Sequence, residues 1–490
     1  MKLTLGEVAA LLETSSGVPD RRVEGYSIDS RSLRAGQLFF AIRGPRFDGH
    51  KFVGAVLERG AAGVVVEKDF FASAPQDWQQ SLIAVDDTHL ALQALALKVR
   101  RLWGKPIVAV TGSAGKSTTK EMIAAILSRR LRVLKSPGNL NNDFGLPLAL
   151  LGLEPEHEVA VMELAMSAAG EIAHLARLAE PQVGVVTNVA PAHLQFFDSV
   201  DAIALAKREL IDYLASTGPG AVAILNEDDA RVRKFGEGFP GKVLTFGFSE
   251  NSDVRGNAPI VAKVQTQMSA GPSPTHFRVQ TAKWSAEFVM RLPGHHNVQN
   301  ALAAIAVSTV FDILPEDIAA ALADFQNLNQ RSEILSLPGD VTVINDCYNS
   351  NPLAMERMLE ALAAWPGAGR RIVVAGEMLE LGPTSPELHR AVGRKCAVVG
   401  ADWAIGVQGA AEFFVEGAIA GGIRATQAKF LPDAASAAAL CLDLIKPGDV
   451  ILVKGSRGVH LETVVDSLRN DRFESSESGV RGSESKGRMQ

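Results

Sequence analysis

VAVTGSAGKSTTKEMIAAIL (residues 108–127) passes from a β-branched apolar run, through glycines, into residues with helical spacing. Ile107 to Thr111 reads as a buried strand, and Met122 with Ile126 and Ile123 with Leu127 recur four apart, as on one helix face. Between them lies Gly112-Ser113-Ala114-Gly115-Lys116-Ser117, followed by Thr118. Glycines let several N–H groups converge on an anion while the following helix offers its positive end. Lys116 then reaches the outer phosphates of a nucleotide, and the Ser117 hydroxyl is a magnesium ligand. A standard phosphate loop has a glycine five residues before Gly115; Val110 stands there, so the loop is a shortened variant. The competing reading is a strand-to-helix turn with a solvated lysine. Strand, loop and helix in that order favour phosphate.

The rest of the chain sets bounds. Its 490 residues suggest about three domains, and 47% hydrophobic content suits globular folding. A net charge of -6 offers no basic surface for nucleic acid. Cys347, Cys396 and Cys441 are widely separated, which supports neither a disulfide framework nor a zinc ribbon and fits a reducing cytoplasm. No uninterrupted apolar run is long enough to cross a bilayer, so membrane insertion is not expected. A soluble cytoplasmic monomer is the expectation.

Three α/β units are expected. Residues 1–100 hold strand-like QLFFAI and AAGVVVE and the helical HLALQALALKVRRLW, a small domain. Residues 101–311 alternate apolar strands (107–111, 159–165, 183–187, 221–225) with helices, a largely parallel sheet carrying the phosphate loop; the stretch from Asn251 to Gly294 reads as a β meander at its edge, with a helix from Asn297. Residues 312–470, with strands at VTVIND, RRIVVAG, WAIGVQ and DVILVKG, suggest a second, doubly wound sheet of Rossmann type. Residues 471–490 are Ser-, Gly- and charge-rich and read as a disordered tail.

Glu163 falls at the carboxyl end of a core strand, the edge where open α/β sheets bind ligands, and is either a magnesium ligand or a structural ion pair. His193, past the next strand with Asn188, is either a ligand to metal or phosphate or a hydrogen-bonded loop residue. The helical setting of Lys207 reads as a solvated lysine, and Asn297 as the N-cap of an alanine-rich helix. Arg331 and Asp346 form either a salt bridge or a clamp on nucleotide. Ser30, Arg31, Asp48, Gly49 and His50 read as polar turn residues.

These stretches resemble the Mur ligase family. The likeness runs over about 430 residues through DSRSLRAGQLFFAIRGPRFDGHKFV, TGSAGKSTTKEM, GNLNNDFGLPLALL, MELAMSAAGEI, TNVAPAHL with AKREL, GHHNVQNALAA, NDCYNSNP, GEMLELG and VKGSRG. NLNNDFGLP, DCYNSNP and GEMLELG resemble the dipeptide-adding member, and the D-N-P-R signature of the member that adds a diamino acid is absent. The chain departs from the family at Ala165-Met166-Ser167, where a Gly-Ala-Asn run is usual, and at Asn345, where an acidic residue is.

The resemblance implies ATP-dependent joining of D-alanyl-D-alanine to UDP-N-acetylmuramoyl-tripeptide through an acyl phosphate; the alternatives are a ligase adding the third amino acid or a nucleotide switch, for which no N-K-x-D signature is present. It also implies two Mg²⁺ ions, one on Ser117 and Glu163, the other on His193 and Lys207. An ammonium cannot ligate a cation, so Lys207 would carry a carbamate, an anionic oxygen donor of the kind magnesium takes. Asn297 and Asn300 would contact adenine, with Arg331 and Asp346 closing over the nucleotide. Ser30, Arg31, Asp48, Gly49 and His50 would form the uridine diphosphate pocket, Asn141 and Asn142 would meet substrate, and Asn349, Lys454, Ser456 and Arg457 would grip the dipeptide.

Overall fold

Strand Ile107–Thr111 is buried along its whole length at the middle of a sheet, as its β-branched run demands. It pairs in parallel with Val159–Glu163 on one side and Val183–Val186 on the other. The computed structural model describes all residues except 15–16, 46, 258–259, 262–273, 327–328, 366–368 and 471–490; the expected tail lies outside the described residues.

Parallel pairing continues outward to Val133–Lys135 at one side and to Val222–Asn226, Lys242–Gly247 and Val254–Gly256 at the other. Beyond that edge Thr275–Gln280 and Ser285–Met290 run antiparallel, so the expected meander extends the central sheet. The chain moves to opposite sides of Ile107–Thr111 for its later strands, which makes the carboxyl end of that strand a topological switch point where a crevice opens.

Two further sheets flank this one. Gly25–Ser27, Gln37–Phe40, Gly63–Glu67 and Leu82–Val85 form an all-parallel N-terminal sheet. Helix Thr88–Trp103, capped by Asp87 and ended by left-handed Gly104, packs Leu92, Leu95 and Val99 into one apolar core with Leu146, Leu150 and Leu175 of the central unit. The C-terminal sheet contains the four expected strands, joined in parallel, plus Ala428–Leu431 and an antiparallel edge strand, Glu333–Leu337, that the sequence reading did not register.

Three expectations change. Helix Thr88–Trp103 runs through the break placed at residue 100. Helix Pro315–Asp324 buries Ile318 and Leu322 in the central core, so the stretch after residue 312 packs with the phosphate-loop helix and not with the third sheet. The alanine-rich helix begins at His295 with Gly294 as N-cap; Asn297 sits in its first turn, and its side-chain amide donates to Pro293 O at 2.7 Å. Among the described residues no helix is long and apolar enough to cross a membrane.

Candidate active site

The phosphate loop is shaped by two glycines with no steric alternative. Gly112 has φ +149°, and a Cβ there would overlap Thr187 Oγ1 and lie 3.1 Å from Thr187 Cβ; Gly115, the N-cap of helix Lys116–Leu127, has φ +82° and faces Asn300 Oδ1. Loop carbonyls and one amide are tied to the neighbouring strand end. Asn188 accepts from Ala114 N (2.9 Å) and donates to Ala114 O (2.9 Å), and Thr187 Oγ1 donates to the same carbonyl at 2.7 Å. Ser113 is occupied structurally: its hydroxyl donates to Ala190 O and accepts from Ala190 N. The helix start carries no side-chain cap, so its first-turn N–H groups face the crevice, an arrangement suited to an anion. Lys116 folds back to Gly112 O at 2.8 Å; desolvation lowers its pKa, an effect that Glu163 opposes and Arg331 reinforces.

Glu163, 2% exposed at the end of its strand, accepts from Ser117 Oγ at 2.6 Å and from Asn141 Nδ2 at 2.8 Å. Asn141 is delivered by the loop after Ser136, which Lys120 fastens: this lysine, wholly buried one turn beyond Lys116, donates to Ser136 O (2.7 Å) and Gly138 O (3.2 Å). Asn142 turns away and caps Gly145 N.

Lys207 is not solvated. It is 2% exposed on helix Val200–Ser216, and no hydrogen-bond or ion-pair partner is found for it among the described residues. Burial, with a further contribution from the Lys116 charge, drives its pKa well below that of an ordinary lysine. His193 lines the cavity over the loop, which Lys207 does not, from a left-handed backbone position, φ +60°, and its Nδ1 lies 2.6 Å from Glu380 Oε2 of the C-terminal unit. That contact holds the Glu380 carboxyl below its usual range.

The C-terminal unit roofs a cavity of about 270 Å³ over the loop. Asn351 caps helix Pro352–Ala363 through Ala354 N and also donates to Ser113 O at 3.3 Å. Arg357, from that helix, reaches Gln299 Oε1 at 3.1 Å. Asp346 pairs with Lys454 at 2.5 Å, and the same ammonium donates to Asn349 O at 2.9 Å, while Arg331 lies over the Tyr348 ring. The structure therefore gathers Ser113 to Thr118, Asn141, Glu163, His193, Asn297, Asn300, Arg331, Asp346, Asn349 and Lys454 around one cavity. Ser456 and Arg457 do not line it: Ser456 Oγ accepts from Leu379 N, and Arg457 donates to Gln330 Oε1.

The N-terminal residues lie apart from this cavity. His50 is enclosed, with Nδ1 2.7 Å from Asp48 and Nε2 accepting from Glu67 N; Gly49 packs against the Ala41–Ile42 backbone. Arg31 is exposed and holds the Asp29 carboxyl down at about 2, and Ser30 O accepts from Arg59. The sequence reading missed Lys120, His296, Tyr348 and Arg357; only Lys120 carried a visible signal, as a lysine four residues after Lys116 on the helix face that meets the sheet.

A phosphate loop at a switch point, a buried carboxylate and lysine beside it, and a second doubly wound unit as roof define a nucleotide-using ligase of three α/β units. Family profiles agree: the Mur ligase middle domain matches residues 110–308, the Mur ligase glutamate ligase domain 330–457 and the Mur ligase family catalytic domain 22–100, and the chain belongs to the Mur ligase family. Within it, the chain is 34% identical to the UDP-N-acetylmuramoyl-tripeptide–D-alanyl-D-alanine ligase of Bacillus subtilis, covering 96% of this chain and 98% of that protein. It is equally 34% identical to the Escherichia coli protein of that name, over 96% and 99%. The crystal structure of MurF from Acinetobacter baumannii matches with TM-score 0.83 at 31% identity, covering 96% of this chain and 99% of that one. MurF from Thermotoga maritima in complex with ADP matches with TM-score 0.78 at 28% identity, over 92% and 98%.

Proposed function

We propose that this chain is the cytoplasmic ligase that joins D-alanyl-D-alanine to UDP-N-acetylmuramoyl-tripeptide at the expense of ATP, in peptidoglycan precursor synthesis. The observation that carries the reading is a roofed phosphate loop whose half-buried Lys116 stands with the buried Glu163 and Lys207, in a chain alike over 96% of its length to ligases of that name. ADP bound to the Thermotoga maritima relative supports an adenine nucleotide.

A carboxylate resists attack because its charge and resonance oppose addition at carbon. Transfer of the γ-phosphoryl of ATP to a carboxylate oxygen breaks the bond to the β-phosphate and creates an acyl phosphate. The incoming amine then attacks the acyl carbon, loses a proton and expels inorganic phosphate. Bringing triphosphate and carboxylate together costs about 4 kcal/mol for each pair of charges 4 Å apart at an effective dielectric of about 20. Lys116 and the loop N–H groups oppose that cost, and the roof excludes water.

The donor set fits Mg²⁺ arriving with nucleotide. Ser117 and Glu163 offer adjacent oxygens, whereas no group of three or more His, Cys, Asp or Glu side chains suited to a metal occurs among the described residues. Magnesium commonly completes such a shell with phosphate and water. We assign a first ion to Ser117 and Glu163, and a second to His193 and a carbamate on Lys207; when bound, the ions neutralise charge on the transferring phosphoryl group. Lys207 suits carbamylation because its amine is buried, lacks an anionic partner and is biased toward the neutral form that adds to CO₂.

Asn297 and Asn300 would face adenine, and Arg331 and Asp346 would meet the nucleotide from the roof. We assign Asn349 and Lys454, which line the cavity, to the dipeptide. Ser30, Arg31, Asp48, Gly49 and His50 are assigned to the uridine diphosphate end, His50 as a support for Asp48. The test is phosphate release with each substrate omitted in turn. Release should require ATP, UDP-tripeptide and D-alanyl-D-alanine together; equal release without the dipeptide would overturn the proposal.

A further inference from the structure

We propose that Glu380 is a positioning residue that presents His193 to the reaction centre only while the C-terminal unit is docked. This rests on the reading of His193 as a ligand of the second ion.

The contact crosses between units and is made twice. Glu380 Oε2 lies 2.6 Å from His193 Nδ1, and Glu380 O accepts from Gln195 N at 3.0 Å. A Cβ at neighbouring Gly382, whose φ is +57°, would come within 3.1 Å of Gln195 Cα, so the two loops are in close backbone contact. His193 and Glu380 both hold left-handed backbone conformations, φ +60° and +63°. Such conformations cost a non-glycine residue energy and persist where surrounding contacts over-determine them. Here two of them meet face to face across a junction between units.

With Nδ1–H directed at the Glu380 carboxylate, the imidazole keeps its lone pair on Nε2, and His193 lines the cavity. A carboxylate behind a ligating histidine fixes the ring's tautomer and direction, and losing it typically weakens metal affinity 10- to 100-fold. Because the carboxylate belongs to the roof, the ring is oriented when the roof is in place and released when it lifts. The geometry thus ties the second ion to closure, which delays phosphoryl transfer until the dipeptide-bearing unit has arrived.

The test is Mn²⁺ titration by electron paramagnetic resonance of the full chain with a non-hydrolysable ATP analogue and UDP-tripeptide, comparing wild type, Glu380→Ala, Glu380→Gln and His193→Ala. Thermal unfolding checks that each variant is folded; Glu380 is half-exposed, so both substitutions there are tolerable. Wild type should bind two Mn²⁺. Glu380→Ala should weaken the second about 10- to 100-fold and leave the first unchanged, with Glu380→Gln intermediate. Two unchanged Mn²⁺ affinities in Glu380→Ala would overturn the proposal while leaving the ligase reading intact. A single Mn²⁺ in wild type would overturn the two-ion reading, and this inference with it.

Discussion

Replacing Gly112 by alanine tests whether the loop's shape, and not its charge alone, binds nucleotide. At φ +149° an L-residue carries strain of about 1–3 kcal/mol. The new Cβ also overlaps Thr187 Oγ1, so that side chain must rotate and give up its 2.7 Å bond to Ala114 O, a loss of about 1 kcal/mol. The cradle is then disfavoured by about 2–4 kcal/mol, and nucleotide affinity falls in proportion to the surviving competent fraction, by about 30- to 700-fold. Thr187→Ala removes the overlapping atom, so the double variant should be less impaired than the sum of the two single changes by about 1 kcal/mol. Isothermal titration with an ATP analogue and Mg²⁺ reads all four proteins, with melting temperatures without nucleotide as the control for folding. Wild-type affinity in Gly112→Ala, or strict additivity in the cycle, would refute the steric argument.

Lys207→Ala should lower turnover by at least about 100-fold, with partial recovery on adding short carboxylates that occupy the vacated position; full activity would remove the carbamate. Lys116→Ala should impair phosphate handling to a similar degree, yet leave UDP-tripeptide affinity within about threefold by calorimetry, since the N-terminal residues are separate from the cavity. The third concerns acid stability. Burial and the nearby Arg357 charge lower His296 to about 3, so the unfolded chain takes up a proton below pH 6.5 that the folded chain refuses. Stability is therefore lost as pH falls below 6.5, by about 1–2 kcal/mol at pH 5 after discounting for the ring's partial exposure. His296→Gln should flatten that part of the stability profile, read as melting temperature at pH 7.5 and pH 5; an unchanged slope would contradict the assignment.

The fold was legible where periodicity is strong. The strand, loop and helix from Ile107 to Leu127 stand where the sequence places them, because a fully buried parallel strand needs a continuous apolar run and the glycines permit one turn. Edge strands Glu333–Leu337 and Ala428–Leu431 escaped notice, since partly exposed edges have weak patterns. Lys207 had a signal that went unread. It occupies the stripe of Ile203, Leu210, Ile211 and Leu214, all buried, so a lysine stood on the apolar face of its helix. Asn297 resembled a cap because asparagine commonly is one, but the N-cap is Gly294, three residues earlier. Contacts such as His193–Glu380, 187 residues apart, depend on how the units dock and leave no trace in local spacing.

The central claim is that the acceptor carboxylate is phosphorylated before the amine attacks. Turnover of UDP-tripeptide labelled with ¹⁸O in its terminal carboxyl, followed by mass spectrometry of the released phosphate, tests it most directly. One labelled oxygen should enter phosphate for each amide bond formed; amide formation with unlabelled phosphate would contradict the account.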